Sequence, residues 1–263
     1  MATTHTAHPT QAADLPAIRQ ISQADLNWAL AQGWQDFSAK RGDLIVVGLL
    51  YPLICFVAVI AALNAPLLPL LFPLVAGLTI AGPAAASGFY ELARRRAAGL
   101  ESSWWHFLDP LNGRSRMPIA VLTIGLGGLF VAWLIVAYLI YAATFGITAP
   151  MRIDDLFGRV FTTREGWEMI LIGNAVGLVF AIVTLVFSIV SFPMVVDRPV
   201  DASVAAMTSY RAVSANKLVI ASWGLRIVAL LVLGLIPAAI GLAVVLPWLG
   251  YATWHLYTRL VVR

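Results

Sequence analysis

The sequence predicts an all-α integral membrane protein, a six-helix bundle with both termini cytoplasmic. Three observations carry that prediction. Of 263 residues 60% are hydrophobic and 11% charged, where a soluble domain carries about a quarter charged residues, and the mean hydropathy is +0.87. The apolar residues come in runs that suit a hydrocarbon core needing about 20 residues per helix. Lys and Arg are shared unequally between the connections, the bias that orients a chain in a membrane.

Residues 1–20 have neither a basic start nor an apolar stretch, so they are not a signal peptide and are expected to be disordered. Residues 21–43 form an amphipathic interfacial helix, with Ser22 and Asp25 as a capping pair and Leu26, Leu30, Trp34 and Phe37 on one face. Such a helix either lies in the bilayer interface with its apolar face down or packs on a partner protein. The six-span domain then fills 44–263. Its first spans, 44–63 and 66–90, are uncharged runs turning at Asn64, where Asn suits turn backbone chemistry, and the second is punctuated by Pro66, Pro69, Pro73 and Pro83. A third span at 117–142 and a fourth at 168–192 flank a polar loop holding Arg152, Asp154, Asp155, Arg159, Arg164 and Glu165, with room for one short surface helix. The run 218–258 has Arg226 as its only charge and is twice the length one span needs. It divides into spans 218–235 and 237–258 with a turn at 234–237.

Of the 17 Lys and Arg residues, all but Arg152, Arg159, Arg164 and Arg226 fall on one side of this topology. Nearby Asp154, Asp155 and Glu165 offset the basic residues of the opposite loop. The positive-inside bias therefore makes the side bearing both termini cytoplasmic. The net charge of +4 is explained the same way, so nucleic acid is not an expected partner; membrane lipids, other integral membrane proteins or a second copy of the chain are.

The segments entering the odd-numbered spans share a pattern: WQDFSAKRGDLIVV from Trp34, WHFLDPLNGRSRMPIAV from Trp105 and YRAVSANKLVIAS from Tyr210. Each has an aromatic anchor, then a polar or basic stop, then apolar residues. Each even-numbered span carries a proline in its cytoplasmic half, Pro83, Pro193 or Pro247, which kinks a helix and frees a carbonyl that neighbours must satisfy. The pattern fits three copies of an interfacial helix plus a transmembrane hairpin. It also fits the aromatic belts and basic ends found wherever a chain re-enters a bilayer.

Arg226 is the most informative residue. A helix starting near Leu218 rises about 12 Å in eight residues, placing Arg226 near mid-bilayer at a cost of about 3 kcal/mol. Apart from Glu168 at the outer edge of the fourth span, no Asp or Glu lies within a span to pair with it, so its expected acceptors are carbonyls freed by prolines, Glu91, Asp197 or a partner protein. It is either an anion site or a snorkelling, internally satisfied arginine. Asn174 falls in a small-residue stretch, 173–177, suited to interhelical hydrogen bonding, and His255 stands among interfacial aromatics. Arg94, Arg95 and Arg96, just after the second span, are placed to meet lipid headgroups, although orientation alone accounts for them. Asp154 and Asp155 read as a solvated loop pair.

No catalytic, cofactor-binding or metal site is expected. The single Cys55 excludes a disulfide and cysteine-based metal clusters. His5, His8 and His106 lie outside the spans, leaving His255 without a second inward histidine for haem. GxSxG, HExxH and phosphate-loop motifs are missing, Gly125, Gly127 and Gly128 sit inside a span as packing residues, and Ser188 and Ser191 have no base in view. An enzyme is the least supported class. A non-catalytic accessory, assembly or scaffold component is the leading expectation, and a transporter or channel with a site near Arg226 the alternative.

The entry ISQADLNWALAQGWQDF, the second-span exit AGPAAASGFYELARRR and FPMVVDRPVDASVAAMTSYRAVSANK after the fourth span resemble a bacterial multi-pass membrane family known only as a domain of unknown function. Some members of that family carry a cytochrome c oxidase label. The resemblance runs over nearly the whole chain and implies architecture and a bacterial inner-membrane location. It transfers no site. The histidine count fits a subunit or neighbour of a respiratory complex better than an oxidase.

Overall fold

The structure, a computed structural model, describes residues 15–39, 79–146, 153–237 and 240–262, with isolated positions between 49 and 77. Most of the expected first and second spans, with Cys55 and Asn64, lies outside the described residues.

Eleven α-helices are described, and three of them carry the apolar expectation. By length and composition, α5 (Arg116–Phe145), α7 (Arg164–Ser188) with its continuation α8 (Ser191–Asp197), and α10 (Lys217–Leu235) can cross a membrane. Only 17% to 33% of their most apolar windows is buried in the protein. The buried positions of α5, among them Ile119, Leu122, Leu126, Trp133 and Ala137, follow one stripe, while Val121, Ile124, Val131 and Ile135 are exposed. One narrow seam against the protein and a wide apolar face outward is what lipid, itself apolar, permits. The seam with α7 is built by aromatics on glycines. A Cβ added to Gly177 would meet the Trp133 ring at 3.3 Å, and one on Gly125 would meet Phe187 at 3.2 Å. The polar connection before α7 holds the expected surface helix, α6 (Ile153–Thr162).

The core lies at one end. It is made by α3 (Ser87–Ala97), which follows the short α2 (Gly82–Ala85), together with α8 and α11 (Leu242–Leu260), each packing on the other two. Leu92, Phe192, Met194, Trp254, Leu256 and Tyr257 are all fully buried there. The expected sixth span, 237–258, becomes α11, which is not among the three apolar helices. Its second half holds Tyr251, Thr253, His255, Tyr257, Thr258 and Arg259, and it is wrapped by protein instead of being left for lipid.

Around this core sit three amphipathic segments. Helix α1 (Gln23–Ala39) lies antiparallel along α11, Trp104–Leu108 with α4 (Asp109–Asn112) lies on α3, and α9 (Ala202–Ala215) lies on α8. Ser22 and Asp25 do pair at the start of α1, the Ser22 N–H and hydroxyl each donating to Asp25 Oδ2 at 2.9 Å. The buried stripe differs from the expected face: Leu26, Ala29, Gly33 and Phe37 are buried, Leu30 only partly, and Trp34 is 45% exposed. The cause is close approach. A Cβ on Gly33 would lie 2.6 Å from the Ala252 nitrogen, so the small Ala29 and Gly33 take the middle of the stripe, with Leu26 and Phe37 buried at its ends. The buried stripe of α1 thus packs on its own chain, while Trp34 stays exposed.

Residues 15–20, expected to be disordered, are held in place. Ile18 forms an antiparallel bridge with Val261, and Asn216 accepts from the Ile21 N–H at 2.9 Å and donates to the Arg19 carbonyl at 3.0 Å. These partners stand about as far along the chain as its length allows, so local composition carries no sign of them.

Proline does break the fourth span. After α7 the chain turns at Ile189 and Val190 before Pro193, and Ser209 of α9 repairs the gap: its hydroxyl accepts from the Val190 N–H at 3.2 Å and donates to the Val186 carbonyl at 2.7 Å. A buried hydroxyl thus stands in for the helical bonding that the break disrupts.

Candidate functional site

Two polar clusters stand out, and the sequence points to part of each. The first surrounds Arg226. Its Nη1 donates to Asn27 Oδ1 at 2.8 Å and its Nη2 to Gln23 Oε1 at 3.1 Å, and Ser222 Oγ also donates to Gln23 Oε1 at 3.1 Å. The partners are therefore neutral amides of α1, in place of the expected proline-freed carbonyls, Glu91 or Asp197. The signal that could have found them is the spacing of Gln23 and Asn27, four apart on α1 and so on one face, where both are exposed.

The second cluster lies at the packed end. Asp36 is held between Arg96 Nε at 2.8 Å and His255 Nε2 at 2.7 Å, with the Trp28 ring edge-on to the imidazole at 5.5 Å. A carboxylate can only accept, so His255 Nε2 carries a proton. Beside it, Glu91 takes a bidentate contact from Arg94 at 2.6 and 2.8 Å, and that hydrogen bonding, the largest cause, with the attraction of the carboxylate raises the Arg94 pKa against a lowering by burial. Arg95 bonds the Glu101 carbonyl at 2.6 Å and approaches Asp109 at 3.3 Å. His106 joins the same group, its Nδ1 at 2.7 Å from Asp109 and its Nε2 at 3.2 Å from Arg95; since arginine only donates, His106 is the neutral Nδ1–H tautomer. Tyr257 donates to Asp197 at 2.8 Å.

Each member of the triple arginine is engaged by a carboxylate of the chain, Arg94 by Glu91, Arg95 by Asp109 and Arg96 by Asp36, on side chains that remain 20% to 37% exposed. His255 joins the charge cluster through Asp36 and keeps an aromatic neighbour in Trp28. Asn174 donates to the Ile170 carbonyl of its own helix at 2.7 Å, so among the described residues it bridges no two helices, while Gly177 of the same stretch does serve the α5 contact. The side chains of Asp154 and Asp155 lie outside what the structure describes. Within the second cluster the carboxylates are occupied by guanidinium, imidazole or phenol groups, an arrangement that ties elements together. What the Arg226 cluster offers, by contrast, is donors on an open flank.

The apolar helices and the helical fold define an integral membrane protein. Residues 71–197, somewhat under half of the chain, match the model of a family described as "Predicted integral membrane protein (DUF2189)", whose function is unknown. No curated protein and no solved structure matches the chain.

Proposed function

We propose that this protein is a non-catalytic packing component of the bacterial inner membrane, an accessory, assembly or scaffold element that holds other integral membrane proteins or a second copy of itself. The observation that carries this reading is the contrast between a filled core and unfilled apolar faces. Large side chains close the centre of α3, α8 and α11, while at Gly127, Gly128 and Gly173 of the candidate spans an added Cβ would meet nothing within 4 Å among the described residues. Small residues on an open apolar face let another helix approach closely. Purification from the native membrane in mild detergent, followed by mass spectrometry, tests it: a stable companion or a homo-oligomer is expected, and a lone monomer overturns the reading.

The transporter alternative needs a cavity leading to Arg226 between the helices. Its partners lie instead on the exposed polar face of α1, which favours the packing reading. A cytoplasmic location of both termini is supported by the positive-inside count and by the pairing of Ile18 with Val261. The threefold repeat is supported by packing order: the entry segment of the second and third hairpins lies on the second helix of the preceding one, and α1 lies on α11 as ring closure requires.

A further inference from the structure

Arg226 is always charged, and its described partners are two neutral amides; among the described residues no carboxylate pairs with it. That arrangement has a consequence for the amides. A guanidinium can only donate, so Asn27 and Gln23 must both turn their oxygens toward it. Their amino groups, Asn27 Nδ2 and Gln23 Nε2, are left with no acceptor among the described residues, on side chains that are exposed. The guanidinium keeps further N–H groups as well, since two of its nitrogens make one bond each. Ser222 adds its own donation to Gln23 and so holds that oxygen in place. The result is a cluster of donors around one positive charge that no carboxylate among the described residues compensates.

Such a set fits an oxyanion, whose oxygens accept several charge-assisted bonds at once. The surroundings narrow the class. Leu225 is 72% and Leu218 86% exposed on the same helix, so the donors open beside an apolar surface. Side chains on a helix lean toward its N-terminus, and the partners of Arg226 lie on the first two turns of α1, near the Arg19 to Asn216 contact at the start of α10. The guanidinium is thus drawn back from the middle of α10 toward its end.

We infer that Arg226, Asn27 and Gln23 form a binding site for a phosphate-type oxyanion, supplied either by the headgroup of an anionic lipid lying along α10 or by free phosphate. The site does not rest on the packing role proposed above.

The test uses the full-length protein in nanodiscs of phosphatidylcholine and phosphatidylglycerol, read by native mass spectrometry, with inorganic phosphate as competitor. Wild type retains phosphatidylglycerol over phosphatidylcholine or binds inorganic phosphate, and Arg226→Gln weakens that binding about tenfold or more, as loss of a charge-assisted bond implies. Retention that phosphate does not displace assigns the lipid, and displacement or direct phosphate binding assigns the free ion; either supports the site. Asn27→Leu with Gln23→Leu keeps the arginine while removing the amide donors, and weakens binding about tenfold as well. The inference is overturned by equal retention of the two lipids without phosphate binding, or by unchanged binding in Arg226→Gln or, where that variant does not fold, in the double variant.

Discussion

Asp36 shows how one side chain joins three elements. It sits on α1, takes Arg96 from α3 and His255 from α11, and is itself only 13% exposed. Asp36→Asn keeps the shape but removes the charge that both partners need. The expected loss is about 1–3 kcal/mol, below that of a fully buried pair because Arg96 is more than a third exposed, and a thermal melt in detergent reads it. Asp25 gives a pH-dependent case. The hydrogen bonds from the Ser22 backbone and hydroxyl, with Arg259 nearby, hold its carboxyl below the ordinary 3.8. A lowered folded-state pKa means stability that is present above the unfolded value and lost as pH falls through the folded one. Asp25→Asn should therefore lower the melting temperature at pH 7, with the difference from wild type vanishing in acid below the carboxylate range. The Ser22 and Asp25 pair is legible in the sequence because capping is local. The Asp36 cluster is not, because its members stand as many as 219 residues apart.

At the level of elements, the positions that decide packing are small. Gly33 lets α1 touch the backbone of α11, and Gly250 lets α11 take the Phe89 side chain of α3, where an added Cβ would lie 2.6 Å from the Phe89 Cβ. Gly33→Leu should displace α1 and cost about 3 kcal/mol or more, seen as a lower melting temperature and faster proteolysis within residues 15–39. Ser209 is the counterpart at the α7 to α8 break. Ser209→Ala removes the partner of the Val190 N–H and the Val186 carbonyl together, at about 1–3 kcal/mol, whereas Ser209→Thr retains the hydroxyl and should recover part of it. Pro193 announces the break in the sequence. The residue that repairs it cannot be read there, since nothing local to Ser209 says which helix it will face.

For the whole molecule, the meeting of Ile18 with Val261 permits a direct test of the ring order. A circular permutant that joins residue 262 to residue 15 through a short linker and opens the chain after Gly99, in the exposed turn between α3 and Trp104–Leu108, should fold with an unchanged helical signal and melt close to wild type. An aggregated permutant would count against the threefold order. The helical class, the membrane setting and the apolar helices α5, α7 with α8, and α10 were determined by sequence alone, because burial in lipid demands long uncharged runs and leaves no alternative to internally bonded helices. Tertiary structure alone decided that α1 buries its apolar face on α11, that the last predicted span is wrapped by protein, that three arginines pair with carboxylates of the chain and that Arg226 is held by amides. The reason is common to all four: each depends on which elements lie side by side, and a sequence with few charges and many similar apolar runs specifies its solvent long before it specifies its neighbours.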